Sequence, residues 1–115
     1  MVKKWVPAQG DIVMLQFNPK AGRDQVGFRP TLVLSPKNYN QKVGLLIACP
    51  ITSKQKGYPF EVKLPNKLKT HGVILADHVK NLDWNVRKAR FVEKVPALTL
   101  EEALTRLGVL LQRTG

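Results

Sequence analysis

The amino-acid sequence predicts a mainly β protein with added helices, built as a small, strongly curved β-barrel with a C-terminal amphipathic helix. Two observations support this prediction: short apolar runs recur with Gly and Pro between them, and the last stretch of the chain alone has helical periodicity. Short strands at regular spacing are typical of small barrels and sandwiches. The length predicts a single domain over residues 1–115 with one core.

The first half of the chain is predicted to form strands at 12–17, 31–35 and 45–51. The third run is apolar throughout, so we expect it to be a central strand of the sheet. Segment 37–41 lacks an apolar period and predicts one helical turn at most. A polar and basic loop, 52–57, should emerge from the end of the central strand.

The second half contributes three further strands and the helix. The predicted strands cover residues 60–64, 72–76 and 90–96. Apolar residues at helical spacing between Leu100 and Leu111 predict a helix packed on the barrel, with part of its stripe available to a second subunit. Thr99 and Glu102 have the spacing of a capping box in front of that helix.

Segment 24–30, Asp-Gln-Val-Gly-Phe-Arg-Pro, leads directly into the second predicted strand. Gly27 permits a tight turn and Pro30 restricts Arg29 to extended conformations, so Asp24 and Arg29 should be held at the lip of the strand. A carboxylate and a guanidinium in that place suit phosphate chemistry. A simple ion pair across the loop is the alternative interpretation.

The charge of the chain predicts a polyanionic partner. Nineteen Lys and Arg residues against eight Asp and Glu give a net charge of +11 and a pI near 10.2. Nucleic acid fits this charge better than a membrane surface, because no apolar run approaches the ~20 residues of a membrane span and no segment resembles an interfacial helix. No signal peptide is recognisable, and the single cysteine, Cys49, has apolar neighbours, so we expect a buried thiol and a cytoplasmic location.

Three polar segments each follow a predicted strand, and we expect them to converge on one face. They are 24–29, 52–56 and Asp77-His78. Together they supply a base, cations and a proton source, which is what cleavage of RNA without a metal ion requires. One cysteine and two histidines without metal-ligand spacing predict no metal site, and no cofactor motif is present. For His78, an ordinary hydrogen-bonded or exposed side chain is the alternative.

Four segments carry a resemblance to a known family: VPAQGDIVMLQFNPKAG, QVGFRPTLVLSP, ACPITSKQKGYPFEV and GVILADHVKNLDW. They resemble the MazF/PemK/Kid family of toxin endoribonucleases, the mRNA interferases of type II toxin–antitoxin systems. The resemblance implies an SH3-like barrel, a two-fold homodimer and sequence-specific, metal-independent cleavage of single-stranded RNA that leaves a 2',3'-cyclic phosphate and a 5'-hydroxyl. It also implies an antitoxin that blocks the RNA groove.

The resemblance assigns catalytic roles to four residues. Arg29 and Thr52 stand where the family places its catalytic arginine and threonine, Asp24 stands at an acidic position of the same loop, and Asp77 matches a catalytic aspartate of Kid-like members.

The departures from the family pattern concern proton transfer. Arg23 and Phe28 occupy positions where some members have histidine, Leu75 replaces an arginine, and His78 replaces a common glutamine. The identities of the general base and the general acid therefore remain open.

The same loops supply candidate RNA-binding residues. Phe17 is placed to stack on a base, with burial in the core as the equal alternative, and the remaining candidates read base edges or hold phosphates. These candidates are Phe17, Asn18, Arg23, Gln25, Lys54, Lys56 and His78.

Two other functions remain open from the sequence. One is a non-cleaving nucleic-acid-binding module on the same kind of barrel, and the other is a gyrase-poisoning toxin of the CcdB type. The expected partners are single-stranded RNA, a second copy of the chain and an antitoxin with an acidic, partly disordered tail. DNA is expected only through the toxin–antitoxin complex.

Overall fold

The computed structural model describes residues 5–18 and 27–115. Within these ranges the chain forms seven strands and two helices, which confirms the predicted mainly β fold with a C-terminal helix. In chain order the elements are β1 (Asp11–Gln16), β2 (Phe28–Val33), α1 (Lys37–Val43), β3 (Leu45–Thr52), β4 (Glu61–Lys63), β5 (Val73–Leu75), β6 (Lys80–Asp83), β7 (Arg90–Lys94) and α2 (Ala97–Leu110).

The strands pair antiparallel in the order β4-β5-β3-β2-β1-β7, with β6 also paired to β3. The prediction that β3 is central is confirmed. One edge of β3 pairs with β2, while its other edge pairs first with β6 through 45–48 and then with β5 through 51–52. Because two partners share one edge in succession, the sheet curls around β3 into a small barrel-like shape.

Both faces of the curled sheet are covered by apolar residues. One core lies between the sheet and α2 and includes Ile12, Leu32, Ile74, Ala103 and Leu107. The second core lies on the opposite face, under the N-terminal segment and the turn after β6; it includes Val6, Val13, Leu15, Val33, Leu46 and Trp84. Alternate residues of β1 and β2 therefore point into different cores, as the two-residue period of a strand requires.

Cys49 of β3 is fully buried in the first core, as expected from its neighbours. Burial, with a smaller contribution from the carboxylate of Asp77, raises the pKa of the Cys49 thiol to about 12. The thiol is therefore neutral and packs as a small apolar group.

The prediction of a single helical turn after β2 is wrong, because α1 extends over seven residues. Its stability comes from a buried polar contact that a local pattern does not contain. Asn40 is fully buried and donates to the carbonyls of Pro7, at 2.9 Å, and Ser35, at 3.1 Å. The indole nitrogen of Trp84 donates to the carbonyl of Asn40 at 2.9 Å. Gly44, with φ of 79°, ends the helix in the left-handed conformation.

The predicted capping box of α2 is also wrong. The helix starts at Ala97 after Pro96, and no side chain caps it. Thr99 lies inside the first turn and is buried, so it cannot serve as the N-cap residue. Within the described ranges, neither helix is long and apolar enough to cross a membrane.

Candidate functional site

The register of β2, β3 and β5 places Arg29 beside Thr52. The pairing of β2 with β3 ends at Thr31 and Pro50, and the same register continued by two residues sets Arg29 against Thr52. Both residues line the same cleft. Thr52 is in turn paired with Val73 of β5. On its other side Arg29 is paired with Leu15, a residue of the second core. Arg29 therefore lies where that core meets solvent.

Arg29 and Thr52 line a polar cleft of about 460 Å³. Arg29 is exposed, and its guanidinium makes no ion pair or hydrogen bond with any residue in 5–18 or 27–115. The cleft thus presents a guanidinium with its donors available to an anion. The lining residues are Gly27, Phe28, Arg29, Pro30, Ile51, Thr52, Ser53, Lys54 and His71.

Arg29 was expected in a loop at the lip of a strand, but it is the second residue of β2. The strand begins earlier than predicted because β1 pairs with β2 from Phe28 onward, which fixes the backbone of Arg29. On the other edge the pairing with β3 starts only at Thr31, and Pro30, which has no N–H, lies outside it. Arg29 is therefore held by a strand, which is more rigid than a loop.

Thr52 is held by contacts of its own backbone as well as by its pairing with Val73. Its Oγ1 accepts a hydrogen bond from the N–H of Lys54 at 3.1 Å, which leaves the hydroxyl proton available to another acceptor. Gly72 lies against it with φ of +116°, and a Cβ at Gly72 would come within 2.1 Å of the Thr52 carbonyl oxygen. Only glycine fits this approach.

The loop after Thr52 is shaped by a single carboxylate. Glu61 of β4 accepts hydrogen bonds from the N–H groups of Lys56, Gly57 and Tyr58. The side chains of Lys54 and Lys56 are both exposed, but only Lys54 is among the residues that line the cleft.

Phe17 and Asn18 lie next to the cleft, at the end of β1. Phe17 is half-buried against the second core, so it has a structural contact in addition to its exposed part. Asn18 is exposed, and its N–H donates to Gln16 Oε1 at 2.8 Å. It packs beside Gly27, where a Cβ would lie 3.2 Å from the Cβ of Asn18. The other candidates of this loop, Arg23, Asp24 and Gln25, lie outside the described residues.

The expected convergence of three loops is wrong for Asp77 and His78, which lie at the far end of β5. Because β5 runs antiparallel to β3, the start of β5 meets the end of β3 at Thr52, and the end of β5 points away. Asp77 Oδ2 accepts a hydrogen bond from the hydroxyl of Tyr58, and its Oδ1 lies 3.8 Å from Nε2 of His78.

The same geometry brings in His71, which the sequence analysis did not single out. His71 precedes β5 and lines the cleft with Arg29 and Thr52. Its position at the start of a strand that pairs antiparallel with β3 is the signal that would have identified it. Among the described residues, no group of three or more His, Cys, Asp or Glu side chains is arranged to hold a metal ion.

Comparison with known proteins agrees with the resemblance found in the sequence. Residues 8–111 match the family model described as PemK-like, MazF-like toxin of type II toxin–antitoxin system. The chain is 40% identical over 111 residues to the endoribonuclease toxin MazF of Escherichia coli K12, covering 96% of this chain and 99% of the relative. It is 34% identical over 118 residues to the endoribonuclease toxin ChpB of the same strain, covering 97% and 100%.

Solved structures show the same fold. The chain is similar to the MazE–MazF complex, form II, from Deinococcus radiodurans, with a TM-score of 0.86 and 47% identity over 96% of this chain and all of that one. A second similar structure is MazF, form I, from the same organism, with a TM-score of 0.85 and 52% identity over 94% and 98% of the two chains.

Proposed function

The chain belongs to the family of PemK-like, MazF-like toxins of type II toxin–antitoxin systems and is an RNA-cleaving enzyme of that family; from this premise we propose that it cuts single-stranded RNA by attack of the 2'-hydroxyl, without a metal ion. The observation that carries the proposal is that Arg29 and Thr52 line one polar cleft, with the guanidinium unpaired among the described residues. Cations held on strands are suited to a phosphate whose charge increases during the reaction.

The proposed reaction is a transfer of the phosphoryl group within the RNA. A base removes the proton of the 2'-hydroxyl, the 2'-oxygen forms a bond to phosphorus, and the bond from phosphorus to the 5'-oxygen breaks. Arg29 donates hydrogen bonds to the non-bridging oxygens, and Lys54 adds a second positive charge. The hydroxyl of Thr52 donates to the same phosphate. Asp24 is the proposed base.

RNA is proposed to lie across the cleft and along the face that continues from it. Phe17 and Asn18 contact bases on one side, with Gln25 and Arg23 from the adjoining loop, while Lys54 and Lys56 hold phosphates on the other. Asp77 and His78 lie in and just after the turn that follows β5, at the opposite end of this strand from Val73, the partner of Thr52. We therefore propose that they contact a neighbouring nucleotide and take no part at the scissile phosphate.

The proposed protein partner is a cognate antitoxin. A similar toxin has been solved as a MazE–MazF complex. In this chain the exposed cations of the cleft and of the loop after Thr52 fit an acidic, partly disordered tail that occupies the RNA path. The toxin is proposed to act as a homodimer in the cytoplasm, with DNA contacted only through the antitoxin complex.

Incubation with a long unstructured RNA in excess chelator tests the nuclease proposal. We expect cuts that leave a 2',3'-cyclic phosphate, or the 3'-phosphate formed when it opens, and a 5'-hydroxyl. A substrate with 2'-deoxyribose at the mapped cut site should stay intact, because the nucleophile is absent. Cutting of the deoxy-substituted site, or a strict need for a divalent cation, would contradict the mechanism.

A further inference from the structure

The side chain of His71 lies in the cleft and forms no hydrogen bond with the other described residues that would support the fold. It is exposed, it lines the cleft that contains Arg29 and Thr52, and its ring nitrogens make no hydrogen bond with any other described residue. The other histidine, His78, lies at the opposite end of β5 beside Asp77. His71 is therefore the histidine that lines the cleft.

The backbone that carries His71 is fixed from two sides. On one side Gly72 presses against the carbonyl of Thr52, as described above. On the other, the carboxylate of Glu93 in β7 accepts hydrogen bonds from the N–H of Lys69 at 3.1 Å, and from the N–H and hydroxyl of Thr70 at 2.8 Å each. The turn before β5 is thus tied to β7 and packed on β3. These contacts fix the backbone of His71 relative to Thr52.

Among the residues that line the cleft, His71 is the one whose side chain is suited to proton transfer. The proposed reaction needs one group to accept the proton of the 2'-hydroxyl and another to give a proton to the departing 5'-oxygen. As side-chain types, guanidinium and ammonium groups do not exchange a proton readily near neutral pH, and aliphatic hydroxyls are very weak acids. Imidazole is the side chain that ordinarily gains and loses a proton in this pH range.

The charged groups around His71 are mainly cations, which attract the phosphate that the imidazole would serve. The single carboxylate in this set, Glu93, is engaged by the backbone of the turn. The set comprises Arg29 from β2, Lys54 from the loop after β3, Lys63 from β4, Lys69 from the same turn and Glu93 from β7.

We propose that His71 is the proton donor to the 5'-oxygen that leaves when the RNA is cut. This inference rests on the proposed function and adds an acid that the resemblance did not supply. As the 2'-oxygen forms its bond to phosphorus, the bond from phosphorus to the 5'-oxygen breaks, and the imidazolium of His71 transfers its proton to that oxygen. The products are the cyclic phosphate, a neutral 5'-hydroxyl, neutral imidazole and the base carrying the proton of the 2'-hydroxyl, so atoms and charge balance.

A sulfur leaving group tests the role of His71 directly. The wild-type protein is first used to map one cut site, and an oligonucleotide is made with a 5'-bridging sulfur at that bond. Because a thiolate departs without protonation, His71→Gln should lose about a hundredfold in single-turnover rate on ordinary RNA and nearly nothing on the sulfur substrate. The fall in wild-type rate at high pH, where imidazole is neutral, should also disappear in His71→Gln.

Lys67→Gln is the control, because it changes an exposed cation of the same turn that does not line the cleft. It should cut both substrates at rates close to wild type and keep the wild-type pH profile. Thermal unfolding of both variants should be unchanged, since both side chains are exposed. Equal losses on the oxygen and sulfur substrates, or a wild-type rate in His71→Gln, would overturn the donor role. A wild-type protein that leaves RNA intact would instead overturn the nuclease proposal, and this inference with it.

Discussion

At the scale of single residues, the proposed chemistry rests on Arg29. Its backbone is paired with β1, its side chain projects from the face shared with Leu15, and its guanidinium has no partner among the described residues. An unpaired cation on a strand is costly only if it is buried, and Arg29 is exposed. Removing its side chain should therefore affect phosphate binding and leave the fold intact.

Arg29→Ala should lower the cleavage rate by about a hundredfold or more, the usual effect of removing one donor that stabilises developing charge. Arg29→Lys should recover a part of the rate, because a lysine restores the charge without the planar fork of donors. Single-turnover rates on one mapped RNA site and thermal unfolding are the measurements.

Lys42→Ala provides the control for charge alone, because Lys42 is an exposed cation in the last turn of α1. It should keep nearly the full rate. If Arg29→Ala cuts as fast as the wild type with unchanged stability, the cleft has been assigned wrongly.

At the scale of elements, the sequence predicts strands whose residues alternate between apolar and polar or are apolar throughout. It does not predict elements whose formation depends on tertiary contacts. β3 and β7 are found as predicted because their patterns are local. β6 has two exposed residues and no alternation, and it forms because the free edge of β3 offers hydrogen bonds to it. α1 extends beyond prediction because the contacts of Asn40 lie far away in the chain.

The same distinction applies to the site. The sequence pattern and the family resemblance identified Arg29 and Thr52, and both line the same cleft. Asp77 was expected at the cleft and His71 was not singled out, because a list of strands does not give strand direction. Once β5 is known to be antiparallel to β3, the residue before β5 and not the residue after it must lie near Thr52.

The contact between the turn before β5 and the end of β3 gives a prediction at this scale. In Gly72→Ala the new Cβ would meet the Thr52 carbonyl, and the backbone at φ of +116° disfavours any other residue than glycine. We expect a loss of stability of about 1–3 kcal/mol and a loss of cleavage larger than the unfolded fraction explains, because Thr52 must move.

Gly44→Ala is the matched control, with a φ of +79° but no atom within 4 Å of the added Cβ. It should cost about 1 kcal/mol in stability and leave the rate per folded molecule unchanged. Thermal unfolding and rates measured well below the melting temperature separate the two effects. Equal rates per folded molecule for both variants would show that Gly72 does not position Thr52.

Glu93 gives a pH-dependent prediction for the same turn. Partial burial by itself raises the pKa of Glu93, but hydrogen bonds from Lys69 and Thr70, with the charge of Lys69, outweigh it and hold the pKa below the ordinary 4.5. A carboxylate with a lowered pKa in the folded state stabilises the fold above its ordinary pKa, and this contribution is lost as the pH falls through the folded value. The melting temperature of Glu93→Gln should therefore lie below wild type at pH 7, with a gap that narrows below about pH 4.5. A gap of constant size from pH 7 to pH 3 would contradict this assignment.

At the scale of the whole molecule, the net charge is +11, and several of the carboxylates are engaged in local contacts. Asp11 pairs with Lys94, Glu102 pairs with Arg106, and Glu61 and Glu93 bind backbone N–H groups. These acids hold local structure and leave cations such as Arg29 exposed. A positively charged cleft attracts both RNA and an acidic inhibitor, so the two should compete.

The outer side of α2 leads to the last prediction, which concerns assembly. Ala103 and Leu107 face the core, but Leu110 is 50% exposed and Leu111 is 72% exposed. Beside them runs an apolar groove of about 510 Å³, lined by residues that include Leu34, Ile47, Val79, Leu104 and Leu111. An apolar surface of this kind is typical of an interface, and a two-fold dimer is the commonest way for a small chain to cover one.

We expect the protein to be a symmetric dimer at micromolar concentration and Leu111→Glu to shift it towards monomer, because a carboxylate would have to be buried without a partner in the interface. Gln112→Glu adds the same charge at the next exposed position and should leave the dimer intact if the apolar groove is the contact. Light scattering coupled to size exclusion distinguishes the two states. A wild-type monomer would refute the dimer. A Leu111→Glu dimer as stable as that of Gln112→Glu would place the interface on another face.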